Sequence, residues 1–173
     1  MSRLDSFIRR MEAQRLILNW AAAAIEGRDG LVLELGLGNG RTYDHLREIL
    51  PGRDIYAFER QAKANPRSLP PPDRLVLGDM AQTLPAFEAQ HGRRGVLVHV
   101  DATTGVPERD AVELAWLPAH VALVAADDAL VISGSALIHP ALEEVPLPEG
   151  IQPGRYFAYR RRSSSAPGVI TSA

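Results

Sequence analysis

The chain has 173 residues, of which 46% are hydrophobic and 23% charged, which predicts a single globular domain that buries a substantial core. The sequence contains no cysteine, which excludes disulfides, thiolate nucleophiles and Cys-ligated metals. The formal net charge of −2 disfavours nucleic acid as a partner, and the lack of a signal segment or membrane-spanning apolar run predicts a cytoplasmic protein with no membrane partner.

Residues 2–26 are predicted to form one helix, because Leu4, Met11, Leu18 and Ile25 recur every seven residues. Glycines at positions 27 and 30 then end the helix. The resulting apolar stripe would pack either on a sheet or on a second copy of the chain, so a homo-oligomer formed through this helix stays open. The pair Arg9-Arg10 on the same helix is expected to be solvated surface.

Strands and helices alternate after this helix, which predicts an α/β domain over residues 1–173 with a mostly parallel sheet covered by helices on both faces. Four prolines in residues 60–73 argue against a helix between the second and third strands. The fifth strand could be residues 121–126 or residues 129–132, and we favour the first because Pro118 should end the preceding helix. Residues 163–173 are expected to be a flexible tail. The other predicted strands are residues 31–35, 54–58, 74–77 and 96–100 before the fifth strand, and residues 156–159 after it. The predicted helices that follow the N-terminal helix are residues 41–50, 81–90 and 107–117.

A glycine-rich turn follows the first predicted strand and leads into a helix, which is the geometry of nucleotide sites in doubly wound sheets. A dinucleotide fingerprint would need a third glycine at position 41 or 43, where the chain has Arg41 and Tyr43. A phosphate-binding P-loop is excluded as well, since no Gly-Lys-Ser/Thr follows.

The pattern Glu-x-Gly-x-Gly-x-Gly over residues 34–40 instead resembles motif I of class I S-adenosylmethionine-dependent methyltransferases. The resemblance implies a Rossmann-like doubly wound sheet of about seven strands, S-adenosyl-L-methionine as methyl donor, and methyltransferase activity. An acidic residue in the first strand suits a cationic ligand. The loop residues that the resemblance assigns to the cofactor are Glu34, Gly36, Gly38, Asn39, Gly40 and Thr42, the last of these for the cofactor's carboxylate.

The resemblance extends to acidic residues at the ends of the next three strands. Glu59 can accept hydrogen bonds from two ribose hydroxyls, although NAD enzymes use the same position. An acidic residue after the third strand would face the adenine amine, with a neighbouring apolar side chain against the ring, and one after the fourth strand would lie near the methyl donor. The cofactor residues expected in this region are Glu59, Arg60, Gly78, Asp79, Met80 and Asp101.

A metal-dependent variant is a second interpretation. Metal-dependent catechol and caffeoyl-type O-methyltransferases carry an aspartate after the fourth strand and an Asp-Asn pair after the fifth. Here Asp101 and the pair Asp127-Asp128 have a similar spacing, and three converging carboxylates could hold Mg²⁺. Asp128 replaces the family's asparagine and Thr104 replaces its lysine, so the leading prediction contains no metal.

The sequence does not identify the methyl acceptor or a catalytic residue. Residues 101–104 lack the motif of amino-methylating enzymes, which disfavours methylation of DNA adenine. His99, inside an apolar strand, is expected to be a core histidine with a hydrogen-bonded partner. We expect a small-molecule acceptor, bound between the N-terminal helix, the loop after the fourth strand and residues 127–150, or by a neighbouring subunit. A cofactor-binding module without transferase activity is the main rival.

Overall fold

The computed structural model describes residues 2–102 and 106–163, and its centre is one seven-stranded sheet in the order β3-β2-β1-β4-β5-β7-β6. The first five strands in this order are parallel, while β7 runs antiparallel to both of its neighbours. The predicted seven-stranded, mostly parallel, Rossmann-like sheet is therefore confirmed. The strands are β1 (Leu31–Leu35), β2 (Ile55–Glu59), β3 (Leu75–Leu77), β4 (Gly95–Val100), β5 (Ala125–Ser133), β6 (Leu142–Glu144) and β7 (Phe157–Arg161).

In the part of the chain that the structure describes, four α-helices cover the sheet, two on each face, as the alternating strands and helices predict. The apolar side chains of α3 and α4 pack with Leu33 and Leu35 of β1 on one face. Those of α1 and α2 pack with Val32 on the other face, because successive side chains of a strand point in opposite directions. The helices are α1 (Arg3–Ala24), α2 (Arg41–Ile49), α3 (Met80–His91) and α4 (Pro107–Val124).

The predicted end of α4 is wrong. Residues 121–124 of the favoured fifth strand, 121–126, lie in α4, and β5 instead begins at Ala125 and contains the second candidate segment. Leu117, Val121 and Val124 are buried at helical spacing, and their packing outweighs the single hydrogen bond that Pro118 removes from the helix.

The sequence predicts the proline-rich segment between β2 and β3 but not the strand β6. The proline-rich segment between β2 and β3 forms only two single turns of 3₁₀ helix, Pro66–Ser68 and Pro72–Arg74, as predicted. The short strand β6 has no counterpart among the predicted strands, because three residues carry too little periodicity. The predicted flexible tail lies outside the described residues from position 164 onward.

The N-terminal helix is confirmed, but only its C-terminal half is part of the core. Leu18 and Ile25 of the predicted stripe are buried, whereas Leu4 is 66% exposed. The helix begins with a capping box, in which Ser2 and Asp5 exchange hydrogen bonds. Within the described part of the chain, no helix is both long and apolar enough to cross a membrane.

We expect Leu18→Ala to lower the free energy of unfolding by about 2 to 5 kcal/mol, the usual cost of a cavity left by a buried leucine. The matched control is Leu4→Ala on the same helix, which should cost less than about 1 kcal/mol, since Leu4 is exposed. Urea unfolding of both variants measures the difference. Equal losses would mean that α1 is not docked on the sheet as described.

Candidate functional site

The site lies at the carboxyl edge of the sheet, where the chain leaves β1 on one side and β4 on the other. In an open parallel sheet the connections diverge at such a point and leave a crevice. The Asp101 N–H donates to the Leu35 carbonyl at 2.9 Å, which joins the ends of β4 and β1. The Gly36 N–H donates to Phe58 of β2 at 3.0 Å. The predicted site residues of β1 and β4 are thus brought together.

Two glycines of the loop after β1 serve different purposes. A Cβ atom on Gly36 would lie 2.3 Å from the carbonyl oxygen of Asp101, so the loop can pack on the end of β4 only without a side chain there. Gly38 has a φ of +52° and would meet no atom within 4 Å. Its backbone therefore faces open space in which a ligand can approach closely.

Two adjoining clefts flank the glycine loop and share Gly38 and Asn39. The inner cleft, of about 500 Å³, lies between the loop, the end of β4, α1 and the segment before β7. The outer cleft, of about 680 Å³, lies beside the end of β2. Among the predicted residues, Gly36, Gly38, Asn39, Thr42 and Asp101 line the inner cleft, and Gly38, Asn39, Glu59 and Arg60 line the outer cleft.

Glu59 binds the glycine loop directly. One of its carboxylate oxygens accepts a hydrogen bond from the Gly38 N–H at 2.9 Å, and the other accepts from the Arg60 N–H at 2.7 Å. The carboxylate is partly exposed and lines the outer cleft. It therefore offers further acceptor capacity to hydroxyl groups of a ligand in that cleft.

Glu34 is fully buried beneath the loop and lines neither cleft. One carboxylate oxygen accepts a hydrogen bond from the Thr42 hydroxyl, and the other lies 2.6 Å from Nδ1 of His99. Its negative charge is thus paired inside the protein, which gives Glu34 a supporting position under the loop. Asp101 and Glu59 are the predicted carboxylates that face the clefts.

The Glu34 carboxylate raises the pKa of His99. Complete burial by itself lowers this pKa, but the charge of Glu34 and its hydrogen bond outweigh that effect. The raised pKa favours the protonated form of His99 beside Glu34. The burial and the contact with Glu34 confirm the expected hydrogen-bonded core histidine. On its other side, Nε2 of His99 lies 3.5 Å from the Tyr156 hydroxyl, at the outer limit of a hydrogen bond.

The inner cleft contains residues that the sequence analysis did not assign. Nε2 of Gln14 on α1 donates to Asp101 at 3.0 Å, and Tyr156 lines the same cleft. Burial and the charge of Asp101 raise the pKa of Tyr156, which keeps its hydroxyl neutral. Gln14 and Tyr156 are far apart in the sequence and follow no motif. The prediction that the N-terminal helix borders the pocket is the one sequence signal for Gln14, and Tyr156 has none. The other unassigned lining residues are Arg10, Met11, Leu37, Arg41, Gly134, Gly154 and Arg155.

The residues at the end of β3 adjoin the outer cleft through Arg60. Asp79 is the N-cap of α3, where it accepts a hydrogen bond from Ala81 at 3.0 Å, and it lies 3.6 Å from the Arg60 guanidinium. Met80 is buried in the core and Gly78 precedes the cap. Gly40 is the N-cap of α2 and lines neither cleft.

The three carboxylates of the metal interpretation do not converge. Asp101 follows the carboxyl end of β4, whereas Asp127 and Asp128 lie near the start of β5 at the opposite edge of the sheet. Ser133 is opposite Val100, so a separation on the order of 15 Å follows from the rise of a strand. Asp127 instead pairs with Arg161, and Asp128 with Arg28 and Arg160. Among the described residues, no three His, Asp or Glu side chains form a metal-binding group.

Comparisons with known proteins agree with this geometry. A family model described as S-adenosyl-L-methionine methyltransferase matches residues 1–161. The crystal structure of an S-adenosyl-L-methionine methyltransferase from Silicibacter pomeroyi is 43% identical, with a TM-score of 0.87, over 93% of this chain and 99% of that one. A SAM-dependent methyltransferase from Neisseria gonorrhoeae has a TM-score of 0.55 at 18% identity, over 86% and 72% of the two chains, which shows the same fold. Among curated proteins, no sequence matches the chain at a significant level.

We expect Asp127→Asn to destabilise the fold by about 1 to 2 kcal/mol, because it removes the carboxylate partner of the buried Arg161 guanidinium. The cost should be lower than for a fully buried pair, since Asp127 is half exposed. Asp128→Asn is the control and should cost less than about 1 kcal/mol. Thermal or urea unfolding measures both, and an unchanged Asp127 variant would contradict the structural role.

We expect the free energy of unfolding to fall as the pH rises above about 6.5, the pKa of an unfolded histidine. Because the pKa of His99 is raised in the folded chain, the native state holds this proton longer than the unfolded state does. The stabilisation is fully present below pH 6.5 and is lost as the pH passes through the raised pKa. The other histidines are common to both proteins, so comparison with His99→Gln isolates this slope. Identical pH profiles would show that His99 does not carry it.

Proposed function

The chain belongs to the S-adenosyl-L-methionine methyltransferase family, and from this premise we propose that it transfers the methyl group of that cofactor to a small-molecule acceptor bound in the inner cleft. The observation that carries the proposal is the pair of clefts that meet at Gly38 and Asn39. A cofactor with a nucleoside at one end and an amino acid at the other could occupy both clefts across the exposed backbone of the loop.

The residues present fit this cofactor in shape and chemistry. Gly38 leaves open space above its backbone, and Glu59 presents a carboxylate to the outer cleft, as hydroxyl donors of a ribose require. In the inner cleft, Asp101 supplies a carboxylate for the ammonium group of the methionine end. We therefore assign the nucleoside to the outer cleft and the methionine end to the inner cleft.

The cofactor supplies a methyl group that is already electrophilic, so the protein has mainly to align the acceptor with it. Gln14 donates a hydrogen bond to Asp101 beside the loop, and Tyr156 lines the same cleft. The neutral Tyr156 hydroxyl can orient an acceptor but is unsuited to abstract a proton. Below them, Glu34, Thr42 and His99 hold the loop and the ends of β1 and β4 in place.

A small acceptor suits the dimensions of the site. Clefts of this size accommodate small molecules, and much of the inner cleft is bordered by α1 and the segment before β7. The proposed reaction involves no metal, since the three aspartates of the metal interpretation lie at opposite edges of the sheet. A cytoplasmic location, the absence of a nucleic-acid partner and a homo-oligomer formed through α1 stay predictions. Family membership argues against a binding module without transferase activity.

We expect Glu59→Ala to weaken the binding of S-adenosylhomocysteine by at least about 1 kcal/mol, the scale of a hydrogen bond to a charged group. The substitution removes the acceptor that faces the outer cleft and also the anchor of Gly38. Glu59→Gln keeps the shape and should show the contribution of the charge. Isothermal titration calorimetry of the full chain measures the dissociation constants.

Glu48→Gln, an exposed position on α2, is the control and should bind as the wild type does. NAD is the control ligand. Tight binding of NAD together with no binding of S-adenosylhomocysteine would overturn the proposed function. Unchanged affinity in a folded Glu59→Ala variant would remove only Glu59 from the site.

A further inference from the structure

We propose that the methyl acceptor is an anionic small molecule whose carboxylate or phosphate group binds in an arginine-lined cleft beside the inner cleft. The inference rests on the proposed function and deepens it, because it names the chemical class of the acceptor. The protein has a third cleft, and neither the family resemblance nor the cofactor accounts for it.

This arginine cleft, of about 700 Å³, lies between α1 and the segment that precedes β7. Arg9 and Arg15 of α1 and Arg155 of the opposite segment line it. The two sides approach closely at Gly150, where a Cβ atom would lie 3.3 Å from the Leu16 side chain. Arg155 also lines the inner cleft, so the arginine cleft and the proposed methyl-transfer site adjoin.

The arginines of these two clefts differ from most other arginines of the protein in their partners. Among the described residues, no carboxylate lies within 4.0 Å of their guanidinium groups, whereas many other arginines form ion pairs at that distance. Glu12 lines the arginine cleft but does not pair with either neighbouring arginine of α1. The arginines concerned are Arg9, Arg10, Arg15, Arg41 and Arg155.

The protein as a whole carries a net charge of −2, so this local positive charge is not a property of the average surface. Guanidinium groups match carboxylate and phosphate oxygens in geometry as well as in charge. A concave site that contains several of them without bound carboxylates is therefore suited to an anion. The surrounding apolar side chains, such as Ala13 and Leu16, can contact the rest of the acceptor.

The cofactor's own carboxylate does not account for all of these arginines. Arg10 and Arg41 line the inner cleft and both lie against the Phe7 ring, at 5.6 and 5.7 Å from its centroid. Either can serve the methionine end of the cofactor. Arg9 and Arg15 line the arginine cleft and neither of the two clefts at the glycine loop. They are consequently available to a second ligand.

The test is calorimetric titration of inorganic pyrophosphate and, separately, of citrate into the full chain saturated with S-adenosylhomocysteine. Glycerol serves as the neutral control. Each titration is repeated at about 0.15 M salt, which screens weak, non-specific attraction between the anion and exposed charges. The variant is Arg9→Gln/Arg15→Gln, which removes two exposed charges from the arginine cleft. The matched control is Arg67→Gln/Arg94→Gln, which removes two exposed charges elsewhere.

We expect the wild type to bind pyrophosphate or citrate and not glycerol, and the anion that binds more tightly indicates a phosphate or a carboxylate acceptor. In Arg9→Gln/Arg15→Gln the anion should bind at least about tenfold more weakly, as two charged hydrogen-bond donors are lost. Its affinity for S-adenosylhomocysteine should change less than about twofold, and the control variant should keep both affinities. Of two acceptors that differ only in a carboxylate or its primary amide, the one with the carboxylate should then be methylated faster.

Failure of the two proposals can be told apart. If the wild type does not bind S-adenosylhomocysteine, the proposed function itself fails. If that ligand binds but neither anion does, or if both double variants weaken anion binding equally, only the anionic acceptor is overturned. Tighter binding of a single-stranded oligonucleotide than of pyrophosphate, lost in Arg9→Gln/Arg15→Gln, would also overturn it and point to nucleic acid.

Discussion

A buried hydrogen bond between Glu34 and His99, on neighbouring strands, organises the functional edge of this protein. Glu34 and His99 are direct partners in the pairing of β1 with β4, and both are excluded from solvent. A shift of either strand by one residue would separate the two side chains and leave the buried Glu34 carboxylate without this partner, at a large cost in free energy. The pair therefore favours one register at the point where the crevice opens. Through Thr42, the same carboxylate also joins the start of α2 to the sheet.

Much of the fold could be predicted because its signals are local. The apolar strands, the glycine turn and the prolines of residues 60–73 all act within a few residues of the chain. Pro118 misled the prediction because its effect on the backbone is weaker than the packing of Leu117, Val121 and Val124. The burial of an entire apolar helix face outweighs one lost hydrogen bond. Rules based on neighbouring residues cannot weigh these two energies against each other.

The site could be predicted only where strand ends supply it. Glu59 and Asp101 follow parallel strands, whose carboxyl ends share one edge, so their proximity to the loop was accessible from the sequence. Asp127 and Asp128 were assigned to the wrong edge because their position depends on where α4 ends. Gln14 hydrogen-bonds Asp101 and Tyr156 lines the same cleft, from distant parts of the chain, and no spacing in the sequence predicts that arrangement.

Gly36 and Gly38 of the loop differ in which substitutions they can tolerate during evolution. Any side chain at Gly36 would collide with the backbone at Asp101, so a substitution there is removed by misfolding. A Cβ atom at Gly38 would meet no protein atom within 4 Å, so a residue that tolerates a positive φ, such as asparagine, would extend into the open space where a ligand approaches. Positions two residues apart are thus under different selection, one for foldability and one for ligand access. A descendant that lost the cofactor could keep its fold while it changed only the second.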